Sequence, residues 1–530
     1  MTEIDAPPAA PSDTSTFTHR QIMIVIAGLL TGMALAGLDQ TIVDTALPTI
    51  VGELGGINHL SWVVTAYLLT STVSTPIYGK LSDIYGRRRL FQAAIIIFLV
   101  GSMLCGIAQN MPQLIAFRGV QGIGGGGLIA MAFAIIADVV PPRERGRYTG
   151  YIVSVFAVTS VVGPVLGGLF VDHLSWRWIF YVNVPLGILS LVVTTRVLNL
   201  TFVVHRRRID FEGAGLLVVG VTCLLLALVW GGDQYPWGSQ EIVGLGAAGV
   251  AIMAVFVWWE QRKAIDPIVP LRLFGNSIVR TGAVMAFLLS VSQYGGIVFL
   301  PIFLQIVGGR SATNSGLNLL PLMLGLLVAS TISGRRIATT GRYKRYPVIG
   351  FSLVAIMLVL FSTMDASTSV ALTSVYMAVF GAGLGMASPI ITTAVQNAVH
   401  TSDIGTATSG NVFFRNLGAA FGVAIFGSLL NNRLAHELSK RLPAGTVDPS
   451  SFLHSPAAIR ALPGEIRVAV TDAVQHAVTS VFLWAAPLAL LGLVFALILR
   501  EIPLREHSAI KAPGEGDTET EIAIASAHLH

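Results

Sequence analysis

The amino-acid sequence predicts an all-α integral membrane protein: two six-helix bundles plus two inserted helices, about fourteen transmembrane helices in all. Three observations carry this expectation. The first is composition. Of 530 residues, 53% are hydrophobic and only 12% charged, with a mean hydropathy of +0.73, whereas a soluble domain carries about 25% charged residues. The second is that the apolar residues fall in continuous runs of about 20, the length a helix needs to cross a bilayer, and not in the short alternating segments of a membrane barrel. The third is an internal repeat, in which residues 79–89 return at 334–344.

Taken in order, residues 1–19 are rich in Pro, Ser and Thr and are expected to form a disordered cytoplasmic N-terminus. Glu3 and Asp5, with no basic region close by, do not resemble a cleavable signal peptide. Six apolar runs at about 22–43, 60–78, 90–108, 112–139, 148–171 and 176–197 make an N-terminal bundle, 20–200. Two more, at 211–230 and 242–259, make a two-helix insert, 201–262. The last six, at 280–306, 315–333, 346–364, 370–394, 410–430 and 480–499, make a C-terminal bundle, 263–505. That bundle includes an extracytoplasmic loop at 431–477, whose Pro and Ser content predicts a partly helical cap. Residues 506–530 are expected to be a second disordered cytoplasmic tail.

Charge supports this topology. Alternate loops hold Lys80/Arg87/Arg88/Arg89, Arg143/Arg145/Arg147, Arg206/Arg207/Arg208, Arg262/Lys263/Arg272 and Arg335/Arg336/Arg342/Lys344/Arg345, while the opposite short loops hold Arg177, Arg310 and little else. Cations in short loops stay inside, so both termini are expected in the cytoplasm. The same placement accounts for the net charge of +5 without nucleic acid. Cys105 and Cys223 lie within apolar runs and are expected to be buried thiols with no disulfide.

The stretch Gly79-Lys80-Leu81-Ser82-Asp83-Ile84-Tyr85-Gly86-Arg87-Arg88-Arg89 links the second and third runs. Its four cations and one carboxylate predict a tight water-facing turn, with Gly79 and Gly86 supplying unusual backbone geometry. Asp83 is spaced to cap a helix or to pair with an arginine. In the repeat Gly79 matches Gly334, Gly86 matches Gly341 and Arg87 matches Arg342, but Asp83 is replaced by Ala338. A second echo places Gly122-Ile123-Gly124 on Gly381-Ala382-Gly383.

An acid and a guanidinium fall inside spans of the first half. With a helix starting near Ile22, Asp39 lies about 25 Å along it, and Arg118 lies about 9 Å in from the outer end of the fourth helix. The two share one depth. Such charges are costly in a membrane interior unless paired or solvated, which makes them functional candidates. Two readings compete: a static buried ion pair, or an acid that takes up a proton while the guanidinium beside it favours its charged form. Asp44 is about 140° further around the first helix, either a third participant or simply solvated. Gly163 and Gly167 have the Gly-x-x-x-Gly spacing that lets helices approach closely, and Pro164 between them frees a carbonyl and bends the helix.

The G-x-x-x-D-x-x-G-R-R-R arrangement at 79–89 resembles the signature loop of the major facilitator superfamily. Leu38-Asp39-Gln40-Thr41-Ile42-Val43-Asp44-Thr45-Ala46-Leu47-Pro48 resembles the first-helix motif of its drug–proton antiporters with fourteen spans. Arg118-Gly119-Val120-Gln121-Gly122 resembles their fourth-helix motif, and Val162-Gly163-Pro164-Val165-Leu166-Gly167-Gly168 their fifth-helix motif. The run from Leu174 through Trp176-Arg177-Trp178 to Asn183-Val184-Pro185-Leu186-Gly187 resembles their sixth-helix opening. The resemblance extends over about residues 20–500, to multidrug exporters of the EmrB/QacA type.

It implies the major facilitator fold and proton-driven antiport of amphipathic small molecules across the cytoplasmic membrane by alternating access. Protons and membrane lipid are then the other partners; no cofactor, metal or nucleic acid is implied, and a monomer is compatible with it. Asp39, Arg118 and Asp44 would serve proton coupling. Gly79, Asp83, Gly86, Arg87, Arg88, Gly163, Pro164, Gly167 and Gly168 would serve gating. At position 44 many members carry a neutral residue.

The second half holds no Asp or Glu deep within its spans, and Arg118 maps on Met377. The expected substrate cavity is therefore neutral: Gln121, Gln293, Tyr294, Phe299 and Gln305, with Asn397, Asn411 and Asn416 nearby. Arg415, about 9 Å from the inner end of its predicted helix, is expected to snorkel to the surface. No phosphate-binding loop, metal cluster or catalytic triad pattern occurs, which leaves a lipid-modifying membrane enzyme without a visible constellation. An exporter of a native lipid or siderophore-like metabolite, and a nutrient symporter, are the other transport readings.

Overall fold

The computed structural model describes residues 19–54, 60–141, 144–197, 210–232, 234–264, 267–309, 318–441 and 463–504. Among them the regular structure is helical, with no β-sheet. The first spans are α1 (His19–Leu54), α2 (Leu60–Tyr85), α3 (Arg87–Gly106), α4 (Met111–Val139) and α5 (Arg145–His173). The sixth is broken into α6 (Trp178–Tyr181) and α7 (Asn183–Val197). Next come α8 (Phe211–Trp230), α9 (Gln240–Arg262) and the short α10 (Arg272–Gly275). α11 (Ser277–Ile297) is extended by α12 (Leu300–Ile302) and a π-helical turn, Phe303–Val307. The chain continues through α13 (Leu320–Thr340), α14 (Arg345–Ser362), α15 (Val370–Asn397), α16 (Ile404–Arg441) and α17 (Gly464–Ile498).

Among the described residues, 13 helices are long and apolar enough to cross a membrane. α2 is outside that set because Ser71, Thr72, Ser74 and Thr75 lower its hydropathy, and counting it brings the total to fourteen. Those hydroxyls are satisfied inside the bundle. Ser74 donates to the Ile123 carbonyl at 3.2 Å, and Thr75 donates to the Gly126 carbonyl at 3.3 Å.

Local chemistry sets the helix ends. Asn110 caps α4 by accepting from Gln113 N at 3.0 Å, with Pro112 in the first turn, where its missing N–H is not needed. Asp210 caps α8, accepting from Gly213 N at 2.9 Å. Ser239 and Ser369 cap α9 and α15 in the same way.

Apolar cores form on both sides of the insert. One N-terminal cluster gathers Phe91, Phe98, Met131 and Tyr148, and another gathers Leu114, Trp176 and Phe180. In the C-terminal half, Phe351, Phe361, Phe380 and Phe482 anchor a single cluster, and Met377, the counterpart of Arg118, is fully buried in it. The insert lies against the seam of the two halves. Leu217, Val221 and Leu225 of α8 and Phe256 of α9 pack with Val73 of α2 and Phe413 of α16.

Two helices outrun the membrane. α16 and α17 have 38 and 35 residues, about 57 and 53 Å against a hydrocarbon core of about 30 Å. Much of the segment expected as a loop at 431–477 is therefore helix, and residues 442–462 lie outside the described residues. So do the terminal tails (1–18 and 505–530), 198–209 with its three arginines, Arg143 and Arg310. Cys105 is buried and Cys223 half-buried, both as free thiols.

Glycines on α4 let it pack closely against α2 and α3. A Cβ added at Gly126 would meet the Ser71 carbonyl oxygen at 2.2 Å, and one at Gly124 would meet Phe98 N at 2.4 Å. At Gly168 on α5 nothing lies within 4 Å. Gly126→Ala is expected to destabilise the protein by about 1–3 kcal/mol, seen as a lower melting temperature in detergent. Gly168→Ala should leave it unchanged or slightly raised, because Ala favours a helix by about 1 kcal/mol over Gly. Equal melting temperatures for the two variants would refute this packing.

Candidate functional site

Asp39 on α1 and Arg118 on α4 meet inside the N-terminal bundle. The Arg118 Nη1 donates to Asp39 Oδ2 at 2.6 Å, and both side chains are sealed from solvent. A short polar network surrounds the pair. Arg118 Nε donates to the Val63 carbonyl at 3.1 Å, and Nη1 also reaches Gln121 Oε1 at 2.8 Å. Gln121 Nε2 donates to Asp39 Oδ1 at 2.8 Å, and Asn183 Nδ2 donates to the same oxygen at 3.2 Å. Ser102 Oγ accepts from Gln121 and Asn183 and donates to the Phe180 carbonyl. The Tyr67 ring lies beneath the guanidinium, 4.4 Å from its centroid, a cation–π contact.

This corrects one sequence expectation. Gln121 is not in a cavity wall; it is fully buried and joins the two charges. It stands three residues after Arg118, so helical periodicity puts both on one face of α4. Asn183 and Ser102 were not foreseen. Asn183 lies within the quoted sixth-helix motif, at the start of α7, where the break after α6 turns it toward Asp39. Asp44 is on α1, and its side chain lies outside the described residues.

A second site joins the halves on the face that carries the charged loops. The 79–89 stretch is not a solvated turn. α2 runs on to Tyr85, Gly86 turns the chain at φ 94°, and Lys80, Asp83 and Arg87 are buried. Asp83 Oδ2 accepts from Thr406 N at 2.9 Å and from Thr406 Oγ1 at 2.7 Å. Thr406 lies in the first turn of α16, so a carboxylate from one half caps a buried helix start of the other. Asp83 Oδ1 pairs with Arg87, which also donates to Ser82 and, at 2.7 Å, to Asp138 Oδ2 at the end of α4.

Gly79 and Gly405 make room for this contact: a Cβ on Gly79 would strike Ser409 Oγ and Cβ. Arg145 of α5 donates to Gln396 Oε1 of α15 at 2.8 Å, a second polar tie between the halves. Arg88, grouped with the gate by sequence, instead donates to the Thr195 carbonyl at 2.7 Å, holding α3 to α7 within one half. Asp138 and Thr406 were missed, although Asp138 is an acid at a span end, a signal open to inspection.

On α5, a Cβ at Gly163 would overlap Thr41 Oγ1, so α1 and α5 touch there, and Thr41 donates to the Thr159 carbonyl at 3.0 Å. Gly167 is buried, and the Pro164 side chain lies outside the described residues.

In the C-terminal half, a narrow cavity is lined by Ala286, Leu289, Ser290 and Gln293 of α11, Ser388 and Ile391 of α15, and Asn411 and Arg415 of α16. Gln293 is there as expected. Phe299 is not: it is 3% exposed and packed in the apolar core. Residues 286, 289, 290 and 293 share one helical stripe, while position 299 falls about 240° around from 293 and beyond the end of α11. Tyr294 packs against Gly422 and is half-buried, and Gln305 is half-buried in the π-helical turn; neither lines the cavity. Arg415 is also misplaced by sequence. α16 begins at Ile404, not near 410, so Arg415 lies about 16 Å along it, too deep to snorkel.

A membrane bundle of this architecture, with polar sites inside and a seam between halves, defines a transporter. The model of the Major Facilitator Superfamily matches residues 29–423, and the chain belongs to that family. An uncharacterized MFS-type transporter of Mycobacterium tuberculosis is 42% identical over 494 residues, covering 93% of this chain and 72% of its own length. The multidrug transporter protein MdtP of Bacillus subtilis is 36% identical over 512 residues, covering 92% and 94%. Among solved structures, the proton:xylose symporter XylE, bound to 6-bromo-6-deoxy-D-glucose, matches 93% of this chain and 99% of its own at 14% identity, with a TM-score of 0.61.

The Asp83–Thr406 contact has no repeat partner, since its counterpart is Ala338. Asp83→Asn removes the charge that faces both Arg87 and the α16 terminus. Coupling energies of about 1–3 kcal/mol correspond to a 5- to 150-fold shift in a balanced equilibrium. A Ser333→Cys reporter, buried in the native protein, is therefore expected to react faster with a thiol reagent in the Asp83→Asn background. Mass spectrometry of the labelled peptide reads this out. Unchanged labelling together with normal transport would show that Asp83 does not hold the seam.

Proposed function

We propose that the protein is a proton-driven antiporter that exports amphipathic small molecules across the cytoplasmic membrane, with both termini inside, working by alternating access. The observation that carries the proposal is the Asp39–Arg118 pair, sealed from solvent and held by Gln121 and Asn183. A carboxylate in this position is stable as an anion only while the guanidinium faces it; protonation removes that attraction and frees Arg118 and α4 to shift relative to α1. The similarity to proteins named multidrug transporters favours export of varied amphipathic compounds.

The gating role falls to the seam. With Asp83 capping α16, the cytoplasmic side is closed, and release of that cap opens it. The link from Asp39 to this seam runs along α4, which bears Arg118 in its outer part and Asp138, the partner of Arg87, at its inner end. Gly163 keeps α1 and α5 in close contact beside Asp39.

Asp39→Asn is expected to abolish substrate movement driven by a pH gradient in proteoliposomes while leaving the melting temperature near wild type. Full gradient-driven transport by that variant would remove Asp39 from proton coupling. Arg118→Lys keeps the charge but loses the planar fork that reaches Asp39, Gln121 and the Val63 carbonyl together. Its transport should fall at least tenfold, and wild-type rates across the pH range would mean that Arg118 is only a structural ion.

A further inference from the structure

The C-terminal cavity holds a cation with nothing to neutralise it. Arg415 lies about 16 Å along α16, and its guanidinium stands 5.5 Å from the Phe133 ring centroid of α4. Among the described residues it makes no hydrogen bond and no ion pair, whereas Arg87, Arg118 and Arg145 are each tied by several. α11 and α15, which line the cavity with it, contain no Asp or Glu. The one acid on α16 is Glu437, pairing with Lys440 and Arg441 at the far end of the helix. The acid nearest along α4 is Asp138, held by Arg87.

A second observation points the same way. Ser290, 2% exposed and on the cavity wall, has a hydroxyl without a hydrogen-bond partner among the described residues. A buried donor left empty in the resting structure is unfavourable unless something arrives to fill it. Gln293 adds an amide on the same wall. Next to this polar end is a second narrow cavity, sharing Asn411 and lined mainly by apolar groups including Leu273, Phe274, Val279, Val395 and Phe414. Both spaces are narrow in this arrangement of the halves, so an occupant has to enter as the halves part.

We infer that these two cavities, widened as the halves part, take one amphiphile carrying an anionic head group, a carboxylate, sulfonate or phosphate. The head is received by Arg415, Ser290 and Gln293, and the apolar body lies past Asn411 in the second cavity. Arg415 supplies a planar pair of donors that match such an oxyanion. The inference rests on the export reading above and narrows it to a charge class. A cationic amphiphile would meet Arg415 head-on in a site without an acid.

The test uses full-length protein in lipid nanodiscs with no pH gradient, and three probes with one pyrenyl-butyl body: the carboxylate, its primary amide and a trimethylammonium analogue. Binding is corrected against empty nanodiscs. Charged hydrogen bonds of this kind contribute about 1.5–3 kcal/mol, so the carboxylate should bind roughly 10- to 100-fold tighter than the amide. Arg415→Gln should erase that preference while amide binding persists, and Arg415→Lys should keep part of it. Ser290→Ala should weaken the carboxylate alone.

Equal binding of carboxylate and amide, tighter binding of the cation, no carboxylate binding, or a preference that survives Arg415→Gln would each overturn the assignment. The outcome is separable from proton coupling. Loss of gradient-driven transport with the anion preference intact counts against the antiport reading alone. Gradient-driven transport without the preference counts against the head-group site alone.

Discussion

A charge placed in the interior of a membrane bundle has to bring its partner with it, and this constraint shapes most of the molecule. Removing an ion from water is far more unfavourable than any single contact can offset, so buried charges survive only in groups whose hydrogen-bonding capacity is nearly filled. Asp39 and Arg118 recruit Gln121, Asn183, Ser102 and a backbone carbonyl. Asp83 and Arg87 recruit Asp138, Ser82 and the start of α16. Because each group draws members from different helices, any event that neutralises one member loosens several helices together. Arg415 stands outside this rule, which is why its empty surroundings carry meaning.

The two halves share a backbone plan but not its charges. Gly86 and its counterpart Gly341 both take a positive φ, 94° and 69°, so each copy turns on its glycine, although Gly341 alone is left-handed helical. The acid does not: Asp83 faces Ala338 in the repeat, and Arg118 faces the fully buried Met377. The N-terminal half therefore holds the Asp39–Arg118 pair, and the C-terminal half the neutral-walled cavity beside Arg415. The cap from Asp83 to Thr406 crosses between them, so its formation depends on how the halves sit.

The inserted helices occupy a telling position. α8 and α9 pack on α2 and α16, the helices that carry Asp83 and Thr406, through Val73, Phe413 and the α8 leucines. Trp62 of α2 stacks edge-on against Trp230 of α8 at 5.4 Å, and Trp237 donates to Ser428 of α16 at 2.8 Å. The insert thus lies against the seam of the two halves, where the second half's Phe274 also meets Phe414.

Hydropathy alone determined the spans, because a 20-residue apolar run has no other stable environment, and loop arginines predicted the orientation by the same electrostatic reasoning. Depth along a helix, at a fixed rise per residue, is enough to bring Asp39 and Arg118 to one level. Depth says nothing about facing direction once a helix breaks or starts early. Asn183 reaches Asp39 only because the sixth span is broken between α6 and α7, and Arg415 is deep only because α16 starts at Ile404. Gln121 and Phe299 were placed in a cavity by polarity and bulk, but α4 turned one into the ion pair and the end of α11 turned the other into the core. The Asp83–Thr406 cap joins residues 323 positions apart, and no local pattern encodes which helix start an acid will meet. That pairing belongs to the packing of the halves, which only the tertiary structure decides.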